Sequence, residues 1–171
     1  MAIMMIDRWL HIVAGVMWIG LLYYFNFVQV PAMAAATADK DGPGPAAIGK
    51  YVAQRALFWF RWAALVTWLT GAIFLATAPQ YSLHGAFTLG IGAHNASLTA
   101  IGFGAWLGTI MLFNVWGLIW PNQKKILGIV QASDAEKATA RRVAFLASRT
   151  NTLLSIPMLM FMQAGAHGIP F

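Results

Sequence analysis

Long apolar runs dominate this chain and restrict what it can fold into. Three of them cover residues 9–30, 56–78 and 96–120, and a shorter, more polar one covers residues 151–166. A run of about 20 apolar residues is long enough to cross the roughly 30 Å hydrocarbon core of a bilayer as a helix. With 60% hydrophobic and only 9% charged residues, the chain also lacks the surface of a soluble globular domain. The sequence therefore predicts a single all-α membrane domain over residues 1–171, an integral four-helix bundle.

The fourth run is predicted to continue upstream as a helix. Ser133 and Glu136 have the S-x-x-E spacing of a capping box, which marks a helix start. A helix over residues 134–166 would be about 50 Å long at 1.5 Å per residue, so its first half must lie outside the hydrocarbon core. Lys137 and Arg141 share one face of that half. We therefore expect a basic amphipathic extension on the membrane surface that leads into the fourth helix.

The basic residues are unequally divided between the two sides of the predicted bundle. Three lie in residues 31–55 and six in residues 121–149, whereas the opposite side carries only Arg8. The positive-inside rule places the two basic loops in the cytoplasm. We therefore expect a multi-pass protein of a bacterial inner (cytoplasmic) membrane with both termini periplasmic. The net charge of +6 then indicates contact with anionic lipid of the bilayer, not with nucleic acid.

The histidines are the candidate ligands of this chain, which has no cysteine. His11 lies inside the first span, His84 in the second loop, His94 just before the third span and His167 after the fourth, all on the predicted periplasmic side. An ionisable residue inside a membrane segment indicates function by default. His11 is therefore predicted to bind a metal or haem, with a hydrogen-bonded interfacial histidine as the alternative. A copper or zinc site of three imidazoles would need His84 as well, and no spacing favours it; we expect His84 in solvent.

A b-type haem held by His11 and by either His94 or His167 is the most specific hypothesis. Axial imidazoles on facing helices suit a cofactor site in the core of a helix bundle. Gly15 lies one turn below His11 and would leave room for the macrocycle, and Arg8 is the only fixed cation available to the propionates. The alternatives are that Gly15 only allows close helix packing and that Arg8 snorkels to the interface.

Short motifs in all four predicted helices resemble the membrane domain of bacterial membrane-bound urate oxidases. They are Arg8-Trp9-Leu10-His11, Trp18-Ile19-Gly20, Trp59-Phe60-Arg61-Trp62, Thr67-Trp68-Leu69-Thr70-Gly71, Leu107-Gly108-Thr109-Ile110-Met111, Asn114-Val115, Pro121-Asn122-Gln123-Lys124-Lys125, Asn151 and Pro157. The block from Gly108 to Lys125 is the most specific. The resemblance implies urate oxidation, with electrons leaving through a covalently attached cytochrome c domain, and it carries over His11 as a matched residue.

The chain departs from that family pattern in three ways. Without cysteine it has no C-x-x-C-H haem attachment. It is shorter than the family's membrane domain and lacks helices between the second and third spans. Gly102 and Thr150 stand where family histidines are expected. A complete urate oxidase activity is therefore not expected from this chain alone.

Two classes of function remain open. In the first, the protein is a haem b-binding electron-transfer or oxidoreductase subunit related to membrane urate oxidase. It would exchange electrons on the periplasmic side with a cytochrome c, or with quinol. In the second, it is a cofactor-free accessory or structural subunit of a larger membrane protein complex. The sequence identifies no catalytic residue, so it leaves open whether the chain is itself an enzyme.

Overall fold

The computed structural model describes residues 2–91 and 95–167, and all regular elements in this part of the chain are helices. We number them α1 (residues 2–38), α2 (residues 48–77), α3 (Leu83–Phe87), α4 (residues 96–126) and α5 (Asp134–His167). Three helical stretches are long and apolar enough to cross a membrane: Ile3–Ala38, Ile48–Thr77 and Ala96–Ile126. The prediction of an all-α membrane protein is confirmed to this extent. The fourth long helix, α5, packs against the others but does not meet the same criterion.

The first and third spanning helices are longer than predicted because each passes through a proline. Their segments are Ala2–Tyr23, the π-helical turn Tyr24–Gln29 and Val30–Ala38 in α1, and Ala96–Phe113, the π-helical turn Asn114–Ile119 and Trp120–Ile126 in α4. Proline has no N–H and collides with the carbonyl four residues earlier. Just before the proline, Val30 donates its N–H to Phe25 and Trp120 donates to Val115, in each case five residues back. These wider turns let both helices continue to the membrane surface.

Local sequence fixes where the helices start. The predicted capping box of α5 is confirmed: the Ser133 N–H donates to Glu136 Oε2 at 2.8 Å, and the Glu136 N–H donates to Ser133 Oγ at 3.3 Å. From there α5 is one continuous helix to His167, with Pro157 inside it. Asn95 caps α4, because its side-chain oxygen accepts from the N–H groups of Ser97 and Leu98. α2 begins with the π-helical turn Ile48–Ala53 and continues as Gln54–Thr77.

The bundle consists of two closely packed helix pairs, α1 with α2 and α4 with α5. At one end the pairs meet in a dense apolar cluster that includes Phe25, Phe60, Met111 and Val115. The rings of Phe25 and Phe60 meet edge to face, with their centroids 5.4 Å apart. We call the region around this cluster the packed half of the bundle.

Three buried asparagines of the packed half form hydrogen bonds between helices. Asn26 donates to Ser148 Oγ at 2.8 Å, which joins α1 to α5. Asn114 donates to Asn151 Oδ1 at 2.8 Å, and Asn151 donates to the Met111 carbonyl at 3.0 Å, which joins α4 to α5. Such bonds hold membrane helices together where apolar burial alone gives little preference for one neighbour.

Candidate functional site

The opposite end of the bundle encloses a cavity of about 720 Å³. Cofactor and small-molecule sites typically occupy about 300–1,000 Å³. The walls come from the N-terminal half of α1, the C-terminal halves of α2 and α5 and the first half of α4, with Tyr81 and Phe87 from the segment between α2 and α4. We call this region the cavity half. Its lining is mostly apolar, so the few polar groups that reach it decide what it can bind.

His11 lies in the wall of this cavity with its imidazole held in a defined orientation. Its Nδ1 donates a hydrogen bond to the backbone carbonyl of Thr67 at 2.8 Å. That carbonyl accepts, so the neutral ring carries its proton on Nδ1 and leaves a lone pair on Nε2. Within the described residues, Nε2 has no hydrogen-bond partner. A histidine fixed through one ring nitrogen to a carbonyl is how metal-ligating imidazoles are commonly oriented.

A glycine of α2 makes room for this imidazole. A Cβ atom on Gly71 would lie 2.8 Å from His11 Cε1, closer than real Cβ contacts allow, and a tight 3.1 Å from its Nδ1. Gly15, by contrast, lies against Thr67, where an added Cβ would meet the threonine methyl at an ordinary 3.7 Å. Gly15 also lines the cavity, so it serves both close packing of α1 on α2 and an open wall beside His11. The glycine on which the histidine depends is therefore Gly71.

Two glycines of α4, Gly104 and Gly108, also differ in what surrounds them. A Cβ on Gly104 would meet the side chain of Met162 on α5 at 3.2 Å, so this glycine allows close helix packing. A Cβ on Gly108 would meet nothing within 4 Å, and this glycine lines the cavity. In Gly102 the missing side chain permits contact with the Ala86 carbonyl of α3.

Most of the site residues expected from the sequence line one cavity. Arg8, His11, Gly15 and His167 all contribute to its wall, with Arg8 and His167 exposed at its outer end. His94 lies outside the described residues, so its part in the site stays a prediction.

The alternative of a three-imidazole metal site gains no support from the fold. His84 is exposed on α3 and does not line the cavity, as expected for a loop histidine in solvent. Among residues 2–91 and 95–167, no group of three or more histidine, aspartate or glutamate side chains is placed to hold a metal ion.

Two residues important to the site were given no role from the sequence. They are Thr67, which orients His11, and Gly71, which admits its ring. Trp18, by contrast, lies seven residues after His11, a helical spacing that predicts both on one face, and both line the cavity. Nothing in the spacing of Thr67 and Gly71 indicates a partner on α1.

Comparison with known proteins gives one match. The model of the family described as "Urate oxidase N-terminal" matches residues 87–171, the second half of the chain. This segment holds the block from Gly108 to Lys125 and, among the candidate ligands, His94 and His167; Arg8, His11 and Gly15 precede it. No curated protein and no solved structure matches the chain. The chain is thus a homologue of the urate oxidase N-terminal family, and residues 87–171 are the part that belongs to it.

Proposed function

We propose that the protein is a membrane haem b-binding electron-transfer or oxidoreductase subunit, with His11 as an axial ligand. One observation carries the proposal: the imidazole of His11 is anchored through Nδ1 to the Thr67 carbonyl in the wall of a cavity of about 720 Å³. A hydrogen bond from one ring nitrogen to a carbonyl fixes both the tautomer and the ring plane. The other ring nitrogen is then available to bind a metal. This arrangement is more specific than that of an interfacial histidine, which needs only to have its hydrogen bonds satisfied.

The remaining residues of the cavity half fit the same group. His167 lines the cavity from α5 and is the second axial ligand that we propose, whereas His94 is the alternative. Arg8 lines the outer end and has no acidic partner within 4.0 Å among the described residues, so it is available to propionates. The apolar walls, including Ile101, Ala105 and Leu159, suit the faces of a macrocycle. Haem bound there would supply one-electron transfer, whose potential depends on the imidazoles and on burial.

We further propose that electrons are exchanged on the periplasmic side of a bacterial inner membrane. The reason is the charge distribution: nine Lys and Arg residues lie within residues 31–55 and 121–149 at the packed end, against Arg8 alone at the cavity end. In this orientation α5 is the fourth span, and the start of α1 and the end of α5 lie on the periplasmic side. A periplasmic cytochrome c or a larger membrane complex is the partner that this arrangement suits.

Complete urate oxidation by these 171 residues is not part of the proposal. The family match concerns the second half of the chain, and no cysteine is present to attach a cytochrome-type haem. We therefore propose that the protein is a cofactor-binding subunit and not a self-sufficient oxidase.

The direct experiment is a dithionite-reduced minus oxidised absorption spectrum of the purified protein, with haem quantified against protein. We expect a Soret band and an α-band of a b-type haem at a ratio near one. A sample of intact, folded protein with neither band would overturn the haem proposal and favour the cofactor-free accessory subunit.

A further inference from the structure

We propose that the cavity half also binds a lipid-soluble quinone, which enters laterally from the membrane and accepts a hydrogen bond from the indole N–H of Trp18. This inference goes beyond the haem proposal, because it rests on a different part of the cavity and on different groups. Trp18 follows His11 by seven residues on α1, which is about 10 Å along the helix axis.

The first observation is a buried donor without an acceptor. Trp18 is only 2% exposed and lines the cavity, yet its Nε1 has no hydrogen-bond partner within the described residues. Trp68, Trp106 and Trp116 each donate their indole N–H to a protein oxygen. Buried polar groups in proteins are nearly always hydrogen-bonded, so an exception needs an explanation. A ligand with an acceptor atom provides one.

The second observation is a depression on the outer face of the bundle that shares lining residues with the cavity. A shallow depression of about 330 Å³ lies on the outside of the bundle, lined by Val16, Met17, Gly20, Leu21 and Trp59. Val16 and Gly20 belong to the lining of both this depression and the cavity. A Cβ atom on Gly20 would meet nothing within 4 Å, so the helix leaves a gap at this level. Both spanning stretches that form the depression, Ile3–Ala38 and Ile48–Thr77, face lipid here with exposed apolar side chains.

These two features together select the chemical class of the ligand. A hydrocarbon chain would enter through an apolar opening but offers no acceptor to Trp18. A hydrophilic anion would offer acceptors but would not partition into the lipid phase. A quinone has a flat ring with carbonyl acceptors and an apolar tail. Its ring would lie beside Trp18, and its tail would follow the depression past Gly20 towards Trp59.

Photoaffinity labelling with an arylazido derivative of decylbenzoquinone tests this on the full chain in nanodiscs. We expect label on the residues that line the depression and the cavity, competed by unmodified decylubiquinone but not by an excess of an alkane of equal length. Trp18→Phe should reduce specific labelling roughly 5- to 10-fold, the effect of losing one buried hydrogen bond. Trp116→Phe is the matched control, because its indole lies outside the cavity, and it should label as the wild type does.

Gly20→Leu is the second variant and tests the entry route without removing a core side chain. It should abolish specific labelling, whereas Gly49→Leu, another helical glycine with open space around it, should not. Label spread evenly over lipid-facing residues, competition by the alkane, or unchanged labelling of the Trp18→Phe and Gly20→Leu variants would each overturn the proposal. The haem difference spectrum of the same samples is recorded separately, so loss of quinone binding and absence of haem are distinguishable results.

Discussion

The two halves of this bundle are built from the same helices and differ in how their buried polar groups are partnered. In the packed half, Asn114 and Asn151 are buried and bonded to each other at 2.8 Å between α4 and α5. Trp18 packs in the apolar cluster and also lines the cavity, and its buried indole N–H has no acceptor within the described residues. His11, in the cavity wall, uses only one ring nitrogen there. Bonds between buried amides hold helices together, whereas unpartnered groups beside an open volume are suited to binding.

The largest effect that separates the halves is expected from Gly71→Ala. The added methyl would lie 2.8 Å from His11 Cε1, so the ring or the helix must shift, which disturbs the bond from His11 Nδ1 to the Thr67 carbonyl. If haem binds as proposed, its occupancy should fall at least tenfold, roughly the effect of disturbing a partner that orients a metal ligand. Haem per folded protein, measured by pyridine haemochromogen, reports this. Gly49→Ala is the control, and equal haem content in both variants would contradict the role of Gly71.

A somewhat smaller effect is expected from His167→Ala. Loss of one of two axial imidazoles should leave haem bound through His11 but convert the iron from six-coordinate low spin towards high spin. Electron paramagnetic resonance of the oxidised protein distinguishes the two states. His84→Ala is the control, since this histidine does not line the cavity. An unchanged low-spin signal in the His167→Ala variant would assign the second ligand to another residue, with His94 as the next candidate.

Removing hydrogen bonds from the packed half should lower the stability of the protein without changing its haem binding. Asn151→Ala leaves Asn114 without its acceptor and removes the bond to the Met111 carbonyl. We expect the free energy of unfolding in detergent to fall by about 1–3 kcal/mol. A double-mutant cycle with Asn114→Ala should give a coupling of about 0.6–1.7 kcal/mol. Haem content per folded molecule should stay unchanged; a loss of haem comparable to that in Gly71→Ala would contradict the division into two halves.

The smallest effect is expected at the start of α5, outside both halves. The N–H and hydroxyl of Ser133 donate to the Glu136 carboxylate and lower its pKa below the usual 4.5. Because the folded pKa is the lower one, this contribution is present at neutral pH and is lost as the pH falls through 4.5 and then through the folded value. Ser133→Ala should lower helix stability by about 0.5–2 kcal/mol. The Ser133 N–H bond, the larger cause of the lowered Glu136 pKa, remains in this variant, so the acid dependence of thermal unfolding should become smaller but not vanish. An unchanged acid dependence would contradict the contribution of the Ser133 hydroxyl.

Local features of this fold were predictable, and the site was predictable only in part. The capping box at Ser133, the long apolar helices and the inward position of His11 follow from residue type and from spacing within one helix. The cavity could not be predicted from such features, because it depends on which helices pair. Thr67 and Gly71 meet His11 only after α2 packs on α1, and nothing in the α1 sequence specifies that contact.

The glycine beside His11 shows which contacts helical spacing does not predict. Helical spacing within α1 predicts Gly15 as the residue that makes room, since it lies one turn from His11 on the same face. The structure instead brings Gly71 from another helix against the ring, while Gly15 mainly lies against Thr67. Spacing identifies neighbours along a helix but not neighbours across a helix interface. The π-helical turns before the prolines were missed for a related reason, since the same residues would also have been compatible with a helix end.

The central claim is that Nε2 of His11 is presented to a haem iron by the bond from Nδ1 to Thr67. The most direct test is the reduced-minus-oxidised spectrum of His11→Gly, recorded without and with added imidazole. We predict that the haem bands are lost in the variant and return with imidazole, which can occupy the space of the missing side chain. Bands of wild-type intensity in the variant without imidazole would contradict the claim.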